Sequence, residues 1–191
     1  MANDEMASTF HIRTRLGKWR DGLLVDIGAV GNLVGSAWVK RQTDRAAAHN
    51  LPTKTVRMTT PLGVEGVGKG AQVCVESISV PTSLPDGSLG TYSAPIVENS
   101  DLPALWGLDS LSHQRALIDT FSKRVYLVGA GGYGLKLSPG SRILQCETSE
   151  SGHMLLPVSD FEGCELLKHG TNSKAEAELA NPKNAFLTRD A

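Results

Sequence analysis

The stretch "LLVDIGA", residues 23–29, places one carboxylate, Asp26, between an apolar run and a loop punctuated by Gly28, Gly31 and Gly35. Leu23, Leu24 and Val25 read as a short strand buried on both faces, closed by glycine. A carboxylate at the exit of such a strand must be hydrogen-bonded, ion-paired or functionally perturbed, because burying its charge alone is too costly. Two uses are therefore open to Asp26. It can accept backbone N–H bonds in the glycine-rich turn, or it can do chemistry.

Outward from Asp26, the period of the sequence changes several times. Residues 36 to about 49, "SAWVKRQTDRAAAH", predict a helix that opens on a capping-type residue and stops before Pro52, with Trp38 packing it. "TKTVRMTT" and "AQVCVESISV" are β-rich runs around "PLGVEGVGKG", which predicts a long hairpin with a pliable tip. "PTSLPDGSLG" is a turn signature leading to a strand in "TYSAPIV". "LPALWGLDSLSHQ" breaks at Gly107 and continues as a short helix, and "ALIDTFSKRVYLV" predicts two strands around Ser122 and Lys123. A first edge strand in "TFHIRTRLGKW" and two late strands in "RILQC" and "HMLLPV" complete the expected elements.

Composition limits the function classes. The 191 residues carry Lys+Arg 19 against Asp+Glu 20, a formal charge of −1, so no global field draws the chain to nucleic acid or to an anionic membrane. No apolar run approaches the roughly 20 residues that span a bilayer. The opening "MANDEMASTFHIRTR" lacks the apolar core of a secretory signal, and a cytoplasmic location is expected. Cys74, Cys146 and Cys164 are odd in number and widely spaced, which predicts free thiols rather than disulfides or a zinc site.

Two glycine clusters approach nucleotide-binding fingerprints and fail them. Gly63 to Lys69 has Walker A spacing, yet Gly70 replaces the hydroxyl residue that would hold magnesium, and a β run follows instead of a helix. "GAGGYG", residues 129–134, matches GxGxxG, but "LKLSPGS" alternates and contains Pro139, so no crossover helix starts. A linker is expected there. No GxSxG or HExxH is present, and His11, His49, His113, His153 and His169 are scattered as loop or surface residues would be. No metal or cofactor is expected.

At Asp26, Gly28 and Ala29, "LLVDIGA" resembles the active-site segment of the retropepsin-like aspartic proteases, especially those of retrotransposon polyproteins, which reads apolar-apolar-Asp-Thr/Ser-Gly-Ala. "NLVGSAWV" resembles the continuation of that loop. The glycine-rich hairpin from Thr59 to Val80 stands where the family has its flap, and "LPALWGLDSLSHQRALIDTFSKRVYLVG" is similar to its apolar-apolar-Gly segment, short helix and final strand pair.

The resemblance implies a mainly β fold: a closed, orthogonal β-barrel with a flap hairpin and one or two short helices, active as a homodimer. It implies a protease domain over residues 21–129. Residues 1–20 are then an N-terminal strand or arm, 130–167 a glycine-rich connection with extra strands, and 168–191 a disordered tail. Only one Asp-x-Gly is present, since "IDTF" at Asp119 lacks the glycine. Two copies of Asp26 would therefore meet across a twofold axis and share a proton. Ile27, Gly28 and Ala29 would form the active-site loop, with Gly28 leaving room for substrate backbone. Gly66, Val67, Gly68, Lys69 and Gly70 would form the flap tip, and Trp106 and Gly107 a subsite wall. The expected partners are a second copy of the chain and a peptide or polyprotein substrate, with no nucleic acid and no membrane.

Ile27 departs from the pattern. The family's Thr or Ser at that position implies a hydrogen bond across the dimer interface that isoleucine cannot make, worth about 1 kcal/mol. The competing expectation is a catalytically impaired module of the same fold that binds peptide or assembles.

Overall fold

A computed structural model describes Leu16 and residues 20–65, 70–139 and 141–158. These residues fall into two compact units, one reaching to Ser141 and including Thr148–Met154, the other holding Arg142–Glu147 and the residues from Leu155 on. The edge strand expected in "TFHIRTRLGKW" lies outside the described residues except for Leu16, which is in no strand, and so does the tail expected over 168–191.

In the first unit the chain forms β1 (Leu23–Asp26), β2 (Val34–Gly35), α1 (Ser36–Ala48), β3 (Lys54–Val64), β4 (Gln72–Ser83), β5 (Leu89–Val97), β6 (Ala104–Gly107), α2 (Leu108–His113), β7 (Ala116–Asp119) and β8 (Arg124–Leu127). Two-residue strands β9 (Glu147–Thr148) and β10 (Met154–Leu155) follow. β3, β4 and β5 form antiparallel hairpins, and β2 joins β5 in parallel, giving the order β2-β5-β4-β3. β1 and β6 pair in parallel, and β7 and β8 form a separate hairpin. Trp38, Gln42 and Ala46 recur every four residues on α1, so they share one face. That face meets the sheet: Trp38 and Ala46 are buried with Ile78, Val80 and Tyr92, and Gln42 Nε2 donates to Pro81 O at 3.2 Å. A second cluster of Leu33, Cys74, Val97, Leu102 and Leu105 lies beneath Met58 and Val64 of the hairpin.

The expected closed barrel is not formed: among the described residues the fold is mixed α/β, with a few open sheets and two helices. Closure requires every strand edge to be paired. β2 is only two residues long because the chain turns into α1 at Ser36, so the ladder ends there. At the opposite edge, β3 is almost wholly exposed and its register with β4 shifts between Arg57 and Leu62, across Pro61, which has no N–H to donate.

Three smaller expectations are also corrected. β1 is half-buried rather than buried on both faces, with Val25 exposed. The N-cap of α1 is Gly35, without a side-chain cap bond, and Ser36 Oγ instead accepts from Ser100 N at 3.4 Å. "RILQC" is not a strand; Ile143 is 82% exposed, and alternation with no face to bury does not hold an extended segment.

Candidate active site

β6 is paired on both edges at Leu105, in parallel with Leu24 of β1 and antiparallel with Leu33. After β1 the chain must therefore cross the C-terminal end of β6 to descend its other side. Residues 27–32 are that crossing. Asp26 stands at its start, in register with Gly107.

The crossing passes directly over Gly107, where a Cβ would lie 2.4 Å from Gly31 O and 3.0 Å from Ala29 O. Only glycine fits. The loop is also held by hydrogen bonds: Leu108 N donates to Ala29 O and Asp109 N to Val30 O, each at 2.8 Å, and Gly107 N donates to Asn32 Oδ1 at 2.9 Å. Asn32 Nδ2 donates in turn to Ser93 O at 3.0 Å. The first amide groups of α2, which have no intrahelical acceptor, thus fix the backbone beside Asp26.

Asp26 Oδ1 accepts from Gly28 N at 3.0 Å and Ala29 N at 3.2 Å. This is the local turn that aspartate favours, and it accounts for one oxygen. Among the described residues, Oδ2 has no hydrogen-bond donor and no cation within ion-pair distance. Val25 and Ile27 flank the carboxylate as exposed apolar side chains, Ile27 at 50% exposure. A Cβ on Gly28 would stand 3.3 Å from Oδ1, so the residue also keeps the space beside the carboxylate clear.

The structure brings Asp26, Ile27, Gly28, Ala29 and Gly107 together, with Trp106 half-buried in register with Val25. Gly66, Val67, Gly68 and Lys69 lie outside the described residues; Gly70 is described, with φ 77° and open space where a Cβ would stand. Asp119 is not a second candidate carboxylate. Its Oδ1 accepts from Phe121 N and Ser122 N and its Oδ2 from Ser122 Oγ at 2.5 Å, bonds that tie the β7–β8 turn and hold its pKa below the ordinary carboxylate value. No catalytic aspartate dyad and no metal-holding cluster of His, Cys, Asp and Glu is formed among the described residues.

Two residues near the site, Asn32 and His153, carry no site role in the sequence reading. Asn32, between a glycine and an apolar run, offered one weak cue, a polar side chain where the loop meets the core. His153 offered none in its local sequence. Its Nε2 lies 3.0 Å from Gly28 O, a contact across 125 residues of chain.

The fold and site together define a small mixed α/β domain with a half-buried, backbone-clamped aspartate at Asp26. No family model matches the chain, and no curated protein matches it. Among solved structures, the crystal structure of the retroviral protease-like domain of Ddi1 from Leishmania major is similar, with a TM-score of 0.37 and 20% identity over 55% of this chain and 76% of that one. That match is weak and partial and assigns no family. No helix among the described residues is long and apolar enough to cross a membrane.

Proposed function

We propose that the chain is an aspartic endopeptidase of the retropepsin type, in which Asp26 of two protomers meets across a twofold axis and cleaves extended peptide segments, including those of a polyprotein. The observation that carries this reading is the setting of Asp26: one carboxylate oxygen without a described partner, between two exposed apolar side chains, on a backbone clamped to β6 and α2. A turn-forming aspartate accounts for Oδ1 but not for apolar flanks left in water. A second copy of the same surface would cover Val25 and Ile27 and bring the two carboxylates close.

In that assembly the pair cannot ionise twice at low cost and holds one proton between its members. The ionised member takes a proton from water, which attacks the peptide carbonyl, while the protonated member polarises that carbonyl. The clamped loop supports this chemistry by holding the reacting groups without reorganisation. The β3–β4 hairpin would act as the flap over the bound peptide, and Trp106 as a subsite wall with Gly107 buried behind it beneath the crossing loop. The domain doing this work would span residues 21–129.

Ile27 favours a second reading, a peptide-binding or assembly module of the same fold. It lacks the hydroxyl that the resemblance implies beneath the two aspartates. A peptide-mixture cleavage assay from mildly acidic to neutral pH, read by mass spectrometry, separates the two. Cleavage that vanishes in Asp26→Asn supports the protease. Activity that appears only in Ile27→Thr identifies an impaired scaffold, and silence from both leaves the binding module.

A further inference from the structure

From Asp26 to Gly31, three backbone carbonyls accept from backbone amides, and those of Ile27, Gly28 and Gly31 accept from none among the described residues. Asp26 O accepts from Ala29 N, Ala29 O from Leu108 N, and Val30 O from Asp109 N. Gly28 O accepts from no backbone amide among the described residues; its partner is the His153 ring. An extended peptide laid across Asp26 binds through its backbone N–H groups, and Gly28 O is an acceptor that one of them can use only if His153 gives it up.

His153 is braced for this contact. A carbonyl only accepts, so Nε2 carries the proton, and in the neutral ring Nδ1 accepts from Ser151 Oγ at 2.8 Å. The turn closes on itself through Ser149 N to His153 O at 2.9 Å, Gly152 N to Ser149 O at 2.9 Å and His153 N to Ser149 Oγ at 3.1 Å. A second contact is independent of the ring: a Cβ on Gly152, whose φ is 87°, would stand 3.2 Å from Val30 Cγ1. The segment therefore rests on the crossing loop at two places, Gly28 and Val30.

We propose that residues 149–153 form an autoinhibitory strap that occupies Gly28 O in cis and competes with extended peptides for the face beside Asp26. This deepens the protease reading and rests on that reading's assignment of the peptide-binding face. Peptide binding and strap seating are then mutually exclusive, and weakening the strap raises apparent peptide affinity. Loss of one side-chain hydrogen bond changes a competing equilibrium by roughly two- to tenfold.

The test uses the full chain carrying Asp26→Asn, so that bound peptide is not consumed, alone and with His153→Ala, His153→Gln or Gly152→Ala. Retention of peptides from a tryptic digest of casein is measured by equilibrium dialysis and mass spectrometry. His153→Ala removes the donor, Gly152→Ala crowds Val30 and strains a backbone held at φ 87°, and His153→Gln keeps an N–H donor. Retention should rise roughly two- to tenfold with the two alanine variants and stay near the parent level with glutamine. Equal retention by all four proteins, including none by any, overturns the strap. Cleavage is scored separately with Asp26 intact. Absence of product from every strap variant, with retention still raised, sinks the protease reading and leaves the strap; product with unchanged retention does the reverse.

Discussion

Gly107 stands against Gly31 so closely that a Cβ on the former would lie 2.5 Å from the carbonyl carbon of the latter. The contact arises because the chain crosses over the end of β6, and it ties the position of Asp26 to the absence of a side chain three residues before Ser110. Gly107→Ala should push the crossing outward, at a cost of about 1–3 kcal/mol from overpacking. On the protease reading, displacement of the loop by about 1 Å would lower cleavage about a hundredfold. Chemical denaturation with the cleavage assay checks both, and unchanged stability would refute the crowding.

Asp21 fastens the entry to β1. Its side chain is 5% exposed, Oδ1 accepts from Arg41 Nε at 3.1 Å and Nη2 at 3.0 Å, and Oδ2 pairs with Arg45 Nη1. The clamp joins the start of the strand that carries Asp26 to the exposed face of α1. Asp21→Ala removes the acceptor for both guanidinium groups, and because the arginines are partly exposed the loss is expected at about 1–3 kcal/mol. Asp21→Asn, which retains one acceptor oxygen, should lose less. A urea titration of the two variants orders them, and equal losses would argue against the ion pairs as the cause.

Much of this fold was written in local sequence, and the part that was not is long-range. The α1 helix, the β3–β4 hairpin, the turn at Asp86 and Gly87 and the β7–β8 pair all follow from periodicity and turn chemistry in consecutive sequence. Sheet closure does not. Whether β2 extends far enough to complete a ladder depends on the chain entering α1 at Ser36, and no pattern in Val34 and Gly35 reveals that they form only two residues of strand. Asp26 stood out because a lone carboxylate in an apolar run demands a partner. His153 did not, since its partner is a backbone carbonyl, which has no sequence signature.

Cys74 lies on β4 in the second core cluster and is fully buried. Desolvation raises its thiol pKa, and the neighbouring Glu98 carboxylate adds to the rise. Both effects suppress the thiolate, the form that reacts. In the native protein Cys74 should alkylate with iodoacetamide at least roughly tenfold more slowly than the less buried Cys146, and the two should converge in denaturant. Peptide mapping after timed labelling measures this. Equal native rates would place Cys74 outside the core.

Tyr92 ties the residue that follows the crossing to β6. Its hydroxyl shares one proton between Leu105 O at 2.8 Å and Leu33 O at 3.0 Å, and its ring meets Trp38 edge-on at a centroid distance of 5.5 Å. Burial pushes its pKa well above the ordinary value of 10.0, although the bond to Leu33 opposes the shift. In the unfolded chain the phenol loses its proton near its ordinary value, while the folded chain retains it. Above about pH 10 the unfolded state therefore binds fewer protons, and stability falls as pH rises. Below that pH the full contribution is present. Tyr92→Phe should cost about 1–2 kcal/mol at neutral pH through the lost hydroxyl, and its stability should decline less steeply between pH 10 and pH 11 than that of the parent. Urea midpoints at pH 7, 10 and 11 test both parts, and parallel alkaline declines in the two proteins would show that Tyr92 is not the group responsible.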